Sequence, residues 1–200
     1  MTESAGLQSK TAPEAKKPVE EDNLMETIKV VIQALVIAIV VRTLLFQPFN
    51  IPSGSLIPTL LIGDYLFVSK YSYGYSRFSI PLSPPLFSGR IFGSDPNRGD
   101  VVVFRLPKDD STDYIKRVIG LPGDRIQMRE GLVYINDKPV VRERLPDYVG
   151  EDPCGSEATA RVKRWKETLP NNVTYETLDC VDNGFYDNTN VYTVPPGHFF

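Results

Sequence analysis

The stretch TIKVVIQALVIAIVVRTLLF, residues 27–46, constrains what this chain can fold into more than any other. Its uncharged run, Val30 to Val41, is short enough for a buried helix or the core of a signal peptide. Extended from Ile28 to Phe46 it makes about 28 Å of helix at 1.5 Å per residue, close to the hydrocarbon thickness of a bilayer. Lys29 and Arg42 stand near its two ends, where long cationic side chains reach outward to water. A helix apolar on every face needs a protein core or lipid around it, and the rest of the chain has almost no helical periodicity to build such a core. A cleavable signal peptide calls for a basic lead-in and small residues at its cut. Here VEEDNLME precedes the run and RTLLFQPFN follows it. The reading is a single uncleaved membrane anchor over residues 28–47. Residues 1–27 form a disordered tail, because a stretch so rich in Glu, Lys, Ser and Pro cannot bury apolar surface. Its lysines favour a cytoplasmic tail, against the acidic residues around them, with residues 48–200 then on the far side.

Beyond residue 60 the periodicity changes from helical to alternating. DYLFVSKYSYG, DVVVFRLP and DYIKRVIG read as strands bounded by Gly, Asp and Pro. The stretch SRFSIPLSPPLFSGRIFGSDPNRGD between the first two is a long surface loop. Leu121-Pro122-Gly123-Asp124 is a turn, and DRIQMREGLVYINDKPVV is a hairpin with Glu130-Gly131 and Asn136-Asp137 at its turns. Residues 143–190 are polar and weakly patterned, with VKRWKETL as one short helix, and VYTVPPGHFF opens another strand. The expected fold is mainly β, an antiparallel sheet domain on one N-terminal transmembrane helix.

The chemistry inventory is short. A net charge of −3 offers no electrostatic footprint for nucleic acid. Neither GxxxxGK[ST] nor GxGxxG occurs, and two cysteines with one histidine are too few for a structural zinc site. No cofactor and no metal are expected. Cys154 and Cys180 could pair in an oxidising compartment or stay as two core thiols; spacing leaves both open. A Ser-His-Asp triad or Cys-His pair would depend on His198 alone.

What remains is a serine activated by a lysine. NIPSGSLIPTL, residues 50–60, holds Ser53 and Ser55 between Pro52 and Pro58, so the backbone there is stiff and irregular. Such a loop suits either a tight turn or a nucleophile. Lysine is a poor base at its reference pKa of about 10.4, but apolar burial lowers that value. Lys116 alternates with Tyr114 and Val118 on one face of YIKRVIG, which makes it a candidate for desolvation as well as an ordinary exposed lysine.

Taken in order after a membrane span, PSGSLIPTL, GDYLFVSKYSYG, RGDVVVF and DYIKRVIGLPGD resemble bacterial type I signal peptidase. The resemblance runs from Phe46 to Asp124 and resumes at PPGHFF. It implies that Ser55 is the nucleophile, Lys116 its general base, and the Ser53 hydroxyl an oxyanion donor beside the Ser55 N–H. It further implies that Phe49, Ile51, Pro52, Leu60, Tyr114 and Ile115 line shallow substrate pockets favouring small side chains at the first and third positions before the cut. Leu56 stands where the family usually has methionine, a swap of similar volume. The implied activity is removal of signal peptides from exported preproteins. The implied location is the bacterial inner membrane, with lipid bilayer as a partner and the body on the periplasmic side. The family continues past GHFF with a Gly-Asp-Asn-Arg-Asp block, so the expectation is a fragment or a shortened, weakly active copy. Two rivals stand beside this reading. One is a soluble Ser-Lys autoprotease of the kind found in SOS-response repressors; the other is a membrane-tethered β domain that only binds a partner.

Overall fold

The structure, a computed structural model, describes residues 21–150, 154 and 160–200. The chain parts into two units at Val40–Val41. The first consists of most of helix α1, Glu21–Leu44. Its segment Asn23–Leu44 is long and apolar enough to cross a membrane, and none of the span is buried. Leu, Ile and Val side chains are exposed all round it, the pattern of a helix whose solvent is hydrocarbon. The helix begins seven residues before the expected Ile28 and takes in residues 21–27 of the expected tail. The remainder of that tail lies outside the described residues. At the other end Phe46 and Gln47 leave the expected anchor and join a strand. The physical reason is Pro48, which pushes the residue before it out of the α region.

Among the described residues the second unit is built from antiparallel strands in four small sheets. Strand β1 (Phe46–Asn50) pairs with β2 (Tyr65–Ser69), and β3 (Val101–Arg105) pairs with β4 (Asp113–Arg117). A four-stranded sheet takes β5 (Arg125–Arg129), β6 (Leu132–Ile135), β7 (Lys138–Pro139) and β11 (Tyr192–Thr193), in the order β11-β5-β6-β7. A three-stranded sheet takes β8 (Val141–Gly150), β9 (Ala160–Thr168) and β10 (Thr174–Asp179), with β9 central. The β5–β6 turn places Glu130 and Gly131 at φ 49° and 71°. Two positive φ values in succession match the right-handed twist of the flanking strands. Asn136 and Asp137 do the same before β7, at 53° and 65°. Both turns fall where the sequence puts them. Gly123, at φ 89°, follows Pro122 in the turn closed by Asp124 N–H donating to Leu121 O.

The core joins the two larger sheets. Ile126, Ile135, Val140, Leu169 and Val194 are buried together, with Ile119, Val133, Val173 and Tyr175 packed around them. Truncating one such isoleucine or leucine to alanine costs about 2–5 kcal/mol.

Residues 162–169, expected as a short helix, lie almost wholly in strand β9. The helical expectation fails because β9 is paired along both edges. Arg142 faces Glu167 and Glu143 faces Lys166 across β8–β9, while Arg164 pairs with Glu176 of β10 at 2.7 Å. Trp165 lies under two guanidiniums, Arg142 at 4.1 Å and Arg144 at 5.2 Å from its ring centre. These are cross-strand partners, and a helix has no way to present them. Cys154 and Cys180, left open by the sequence, form a disulfide with Cα atoms 5.7 Å apart.

Candidate active site

The Ser55 loop is closed at its base. Ile51, 2% exposed, donates its N–H to Asp64 O and accepts from Gly63 N–H, each at 2.9 Å. Asp64 also accepts from Leu61 N–H through its carboxylate, so fourteen residues of chain (51–64) are held shut by three bonds at one end. Inside the loop Ile57 is buried and lies over Gly54. A Cβ on Gly54 would meet Ile57 Cδ1 at 2.9 Å, which accounts for the glycine between the two serines. The Ile57–Pro58 peptide is cis. The serines stay exposed, Ile57 is buried, Leu56 and Leu60 are partly covered, and Leu61 and Ile62 face outward.

Strand β4 brings up Lys116, in register with Val102 of β3. Its neighbours hold it. Val118 is 3% exposed and is fixed by two backbone bonds, to Asp100 O and from Gly99 N–H. Arg117 turns to the opposite face, donates to Gly99 O at 2.7 Å and lies 4.9 Å from the Tyr175 ring centre. Burial pulls the Arg117 pKa down and Tyr175 counteracts it. Burial, followed by the neighbouring Glu167 carboxylate, pushes the Tyr175 phenol well up. That places an uncharged tyrosine between Arg117 and Glu167. Lys116 is left half-buried, its Nζ 5.8 Å from the Tyr114 ring centre and 2.6 Å from Ser55 Oγ, to which it donates.

The two residues singled out from sequence therefore meet, across 61 positions of chain. Ser53, the other serine of the loop, is exposed two residues before Ser55. Of the six expected pocket residues, Phe49, Leu60 and Ile115 line one groove of about 670 Å³ between the β1–β2 and β3–β4 sheets. Ile51 is buried under the loop instead, and Pro52 and Tyr114 are exposed outside that groove. The groove does not include the dyad itself; it adjoins it through Ile115, next to Lys116. His198 hydrogen-bonds to Pro196 O, two residues away. Among the described residues no cluster of His, Cys, Asp and Glu could hold a metal ion.

Sequence reading misses four contributors. Asp64 clamps the loop, and its only trace in sequence is a Gly-Asp pair ahead of a strand. Tyr175 and Glu167 reach the base strand from β10 and β9, a region that reads as weakly patterned. Lys70 enters the groove from the end of β2, and no local pattern marks it.

A Ser Oγ held against a lysine Nζ, on a rigid loop and beside an apolar groove, can support acyl transfer. Comparison with known proteins points the same way. Residues 24–200 match the family described as "Signal peptidase, peptidase S26". The chain is 46% identical over 172 residues to signal peptidase I of Rickettsia typhi, covering 82% of this chain and 63% of that protein. It is 45% identical over the same length to those of Rickettsia conorii and Rickettsia prowazekii, again covering 82% of this chain, and 62% and 63% of theirs. The chain thus spans somewhat under two thirds of the length of these relatives. With a match that covers nearly all of the anchor and the whole β unit, the chain belongs to the signal peptidase family, peptidase S26.

Proposed function

We propose that this protein is a membrane-bound serine endopeptidase that removes signal peptides from exported preproteins, cutting after small residues, with Ser55 and Lys116 as its catalytic dyad. The observation that carries the reading is the 2.6 Å contact between Lys116 Nζ and Ser55 Oγ. Neutral Lys116 takes the Ser55 proton as Oγ attacks the scissile carbonyl. The resulting oxyanion is met by the Ser53 hydroxyl and the Ser55 N–H. Collapse breaks the C–N bond, the lysine ammonium gives its proton to the departing amine, and an ester to Ser55 remains. Water, deprotonated by the same lysine, then hydrolyses the ester and restores the serine. Phe49, Leu60 and Ile115, in the groove, receive the residues before the cut, with Ile51, Pro52 and Tyr114 supporting the loop and strand that frame it.

The proposed location is the bacterial inner membrane, with one span and residues 48–200 on the periplasmic side. The Cys154–Cys180 disulfide supports that side, because such bonds persist in oxidising compartments. Protease added outside spheroplasts should then digest the β unit, and protection of that unit would reverse the topology.

The test of the chemistry is cleavage of a preprotein by the wild type and two serine variants. Ser55→Ala should abolish processing, since the covalent path is gone. Ser53→Ala should leave a measurable residue, reduced by ~10²–10³, the usual cost of one oxyanion donor. Equal and mild losses in both would overturn the assignment.

A further inference from the structure

The groove beside the dyad has both apolar and polar lining, with three cations, Lys70, Arg90 and Arg105, against one acid, Asp113. Lys70 and Arg105 lie by Asp113, at the N-terminal end of β4. Two of the cations have their partners. Arg105 pairs with Asp113 at 2.8 Å, and Arg90 donates to Tyr73 O at 2.9 Å. Lys70 differs. Among the described residues its half-buried ammonium makes one long contact, 3.4 Å to Phe78 O, although it carries three donors. Burial lowers its pKa, with Asp113 acting in the opposite direction. A desolvated ammonium with donors to spare, facing a peptide-sized groove, is set to take an acceptor from whatever occupies it.

Register says which part of an occupant it meets. Asp113 and Ile115 line the groove from the same face of β4, two residues apart and so about 6.6 Å along the strand. An extended chain laid beside β4 repeats its side chains at the same interval. The side chain near Asp113 and Lys70 is therefore two positions further from the cut than the one that packs on Ile115.

We propose that Lys70 is a specificity-determining residue that favours an acidic side chain on the substrate, two positions upstream of the residue seated on Ile115. This rests on the peptidase reading above. The carboxylate completes the hydrogen bonds of the ammonium and offsets the excess positive charge at that end. A lysine there meets repulsion.

The test uses the full chain in detergent and a set of peptide substrates with a fixed small-residue cut. Glu, Gln or Lys is placed in turn at each position from three to seven before the cut, and kcat/KM is measured. Glu should exceed Lys by about fivefold, the scale of a partly exposed charge pair, at one position only. Lys70→Arg should keep the preference, Lys70→Gln should erase it, and Lys70→Glu should reverse it toward lysine. A melting curve for each variant confirms that it is folded. Cleavage of all peptides with no charge preference at any position would overturn the role of Lys70 and leave the peptidase reading standing. Failure of the wild type to cleave every peptide, the Gln set included, would overturn the peptidase reading and this one with it.

Discussion

The ring of Tyr175 lies 4.9 Å beneath the guanidinium of Arg117, and the Glu167 carboxylate, after burial, raises the pKa of its phenol. Through this pair the strand that carries Lys116 is braced by the three-stranded sheet. Glu167 is 3% exposed, and Arg142 approaches it at 3.6 Å from the other side. The phenol thus stands between Arg117 and Glu167 in a largely covered chain running Arg117, Tyr175, Glu167, Arg142. Tyr175→Phe keeps the ring under Arg117 and removes the hydroxyl that interacts with a buried carboxylate. It should destabilise the fold by about 1–3 kcal/mol, read as a lower denaturation midpoint, with little change in kcat. Tyr175→Ala removes the ring as well and should lower kcat in addition, because Arg117 loses its seat beside Lys116. Equal kcat in the two variants would show that the ring does not position the base.

Lys116→Arg should be inactive at every pH. Arginine retains the positive charge and can still reach a hydroxyl, but it does not give up its proton in proteins and cannot serve as a base. Rate measurements across neutral and alkaline pH, beside a melting curve to confirm folding, check this. Near-normal turnover would eliminate the Ser-Lys mechanism.

Asp124 governs acid stability. Burial pushes its pKa up, but bonds from Leu121 N–H, Asn136 and Arg98 outweigh burial and hold the carboxyl below its usual range. The ion pair with Arg98 measures 2.7 Å, and both side chains are about nine-tenths covered. A folded-state pKa below the unfolded one stabilises at neutral pH and loses that contribution as pH falls through about 4 toward the lower folded value. The wild type should therefore lose stability on acidification through that window. Asp124→Asn should be less stable at pH 7 by about 2–4 kcal/mol and show a flatter acid limb. Chemical denaturation at pH 7, 5 and 3.5 measures both, and parallel acid limbs would shift the cause to other carboxylates.

The disulfide between Cys154 and Cys180 spans a sequence separation of 26 that takes in β9 and β10. A loop of that length corresponds to about 3.5 kcal/mol of restricted unfolded-state entropy. Reduction, or the double change Cys154→Ser and Cys180→Ser, should lower the melting temperature by several degrees while leaving the Ser55–Lys116 site assembled. The check is a melting curve with and without reductant alongside peptide cleavage; loss of cleavage in a protein that remains folded would tie the bridge to the site.

Features carried by short stretches of chain are legible in the amino-acid sequence alone. The long apolar helix is evident because an all-apolar run is its own signature, and the β5–β6 turn because Glu130-Gly131 breaks an alternating pattern. Ser55 and Lys116 stand out because a proline-bracketed loop and an apolar strand each mark their residue locally. Their meeting is implied by resemblance alone, since no local rule brings residues 55 and 116 within 2.6 Å. Tertiary structure decided the rest. Val162–Leu169 has a helix former's composition, and pairing on both edges turns it into the centre of a sheet. Cysteine spacing cannot show whether two Cβ atoms face each other; the packing of β8 to β10 settles that pair. Ile51 and Ile115 read alike as apolar residues near the chemistry, yet one is buried beneath the loop and the other lines the groove. Periodicity reports which face of an element a residue occupies, whereas what lies against that face depends on contacts between distant segments, which only the folded chain brings together.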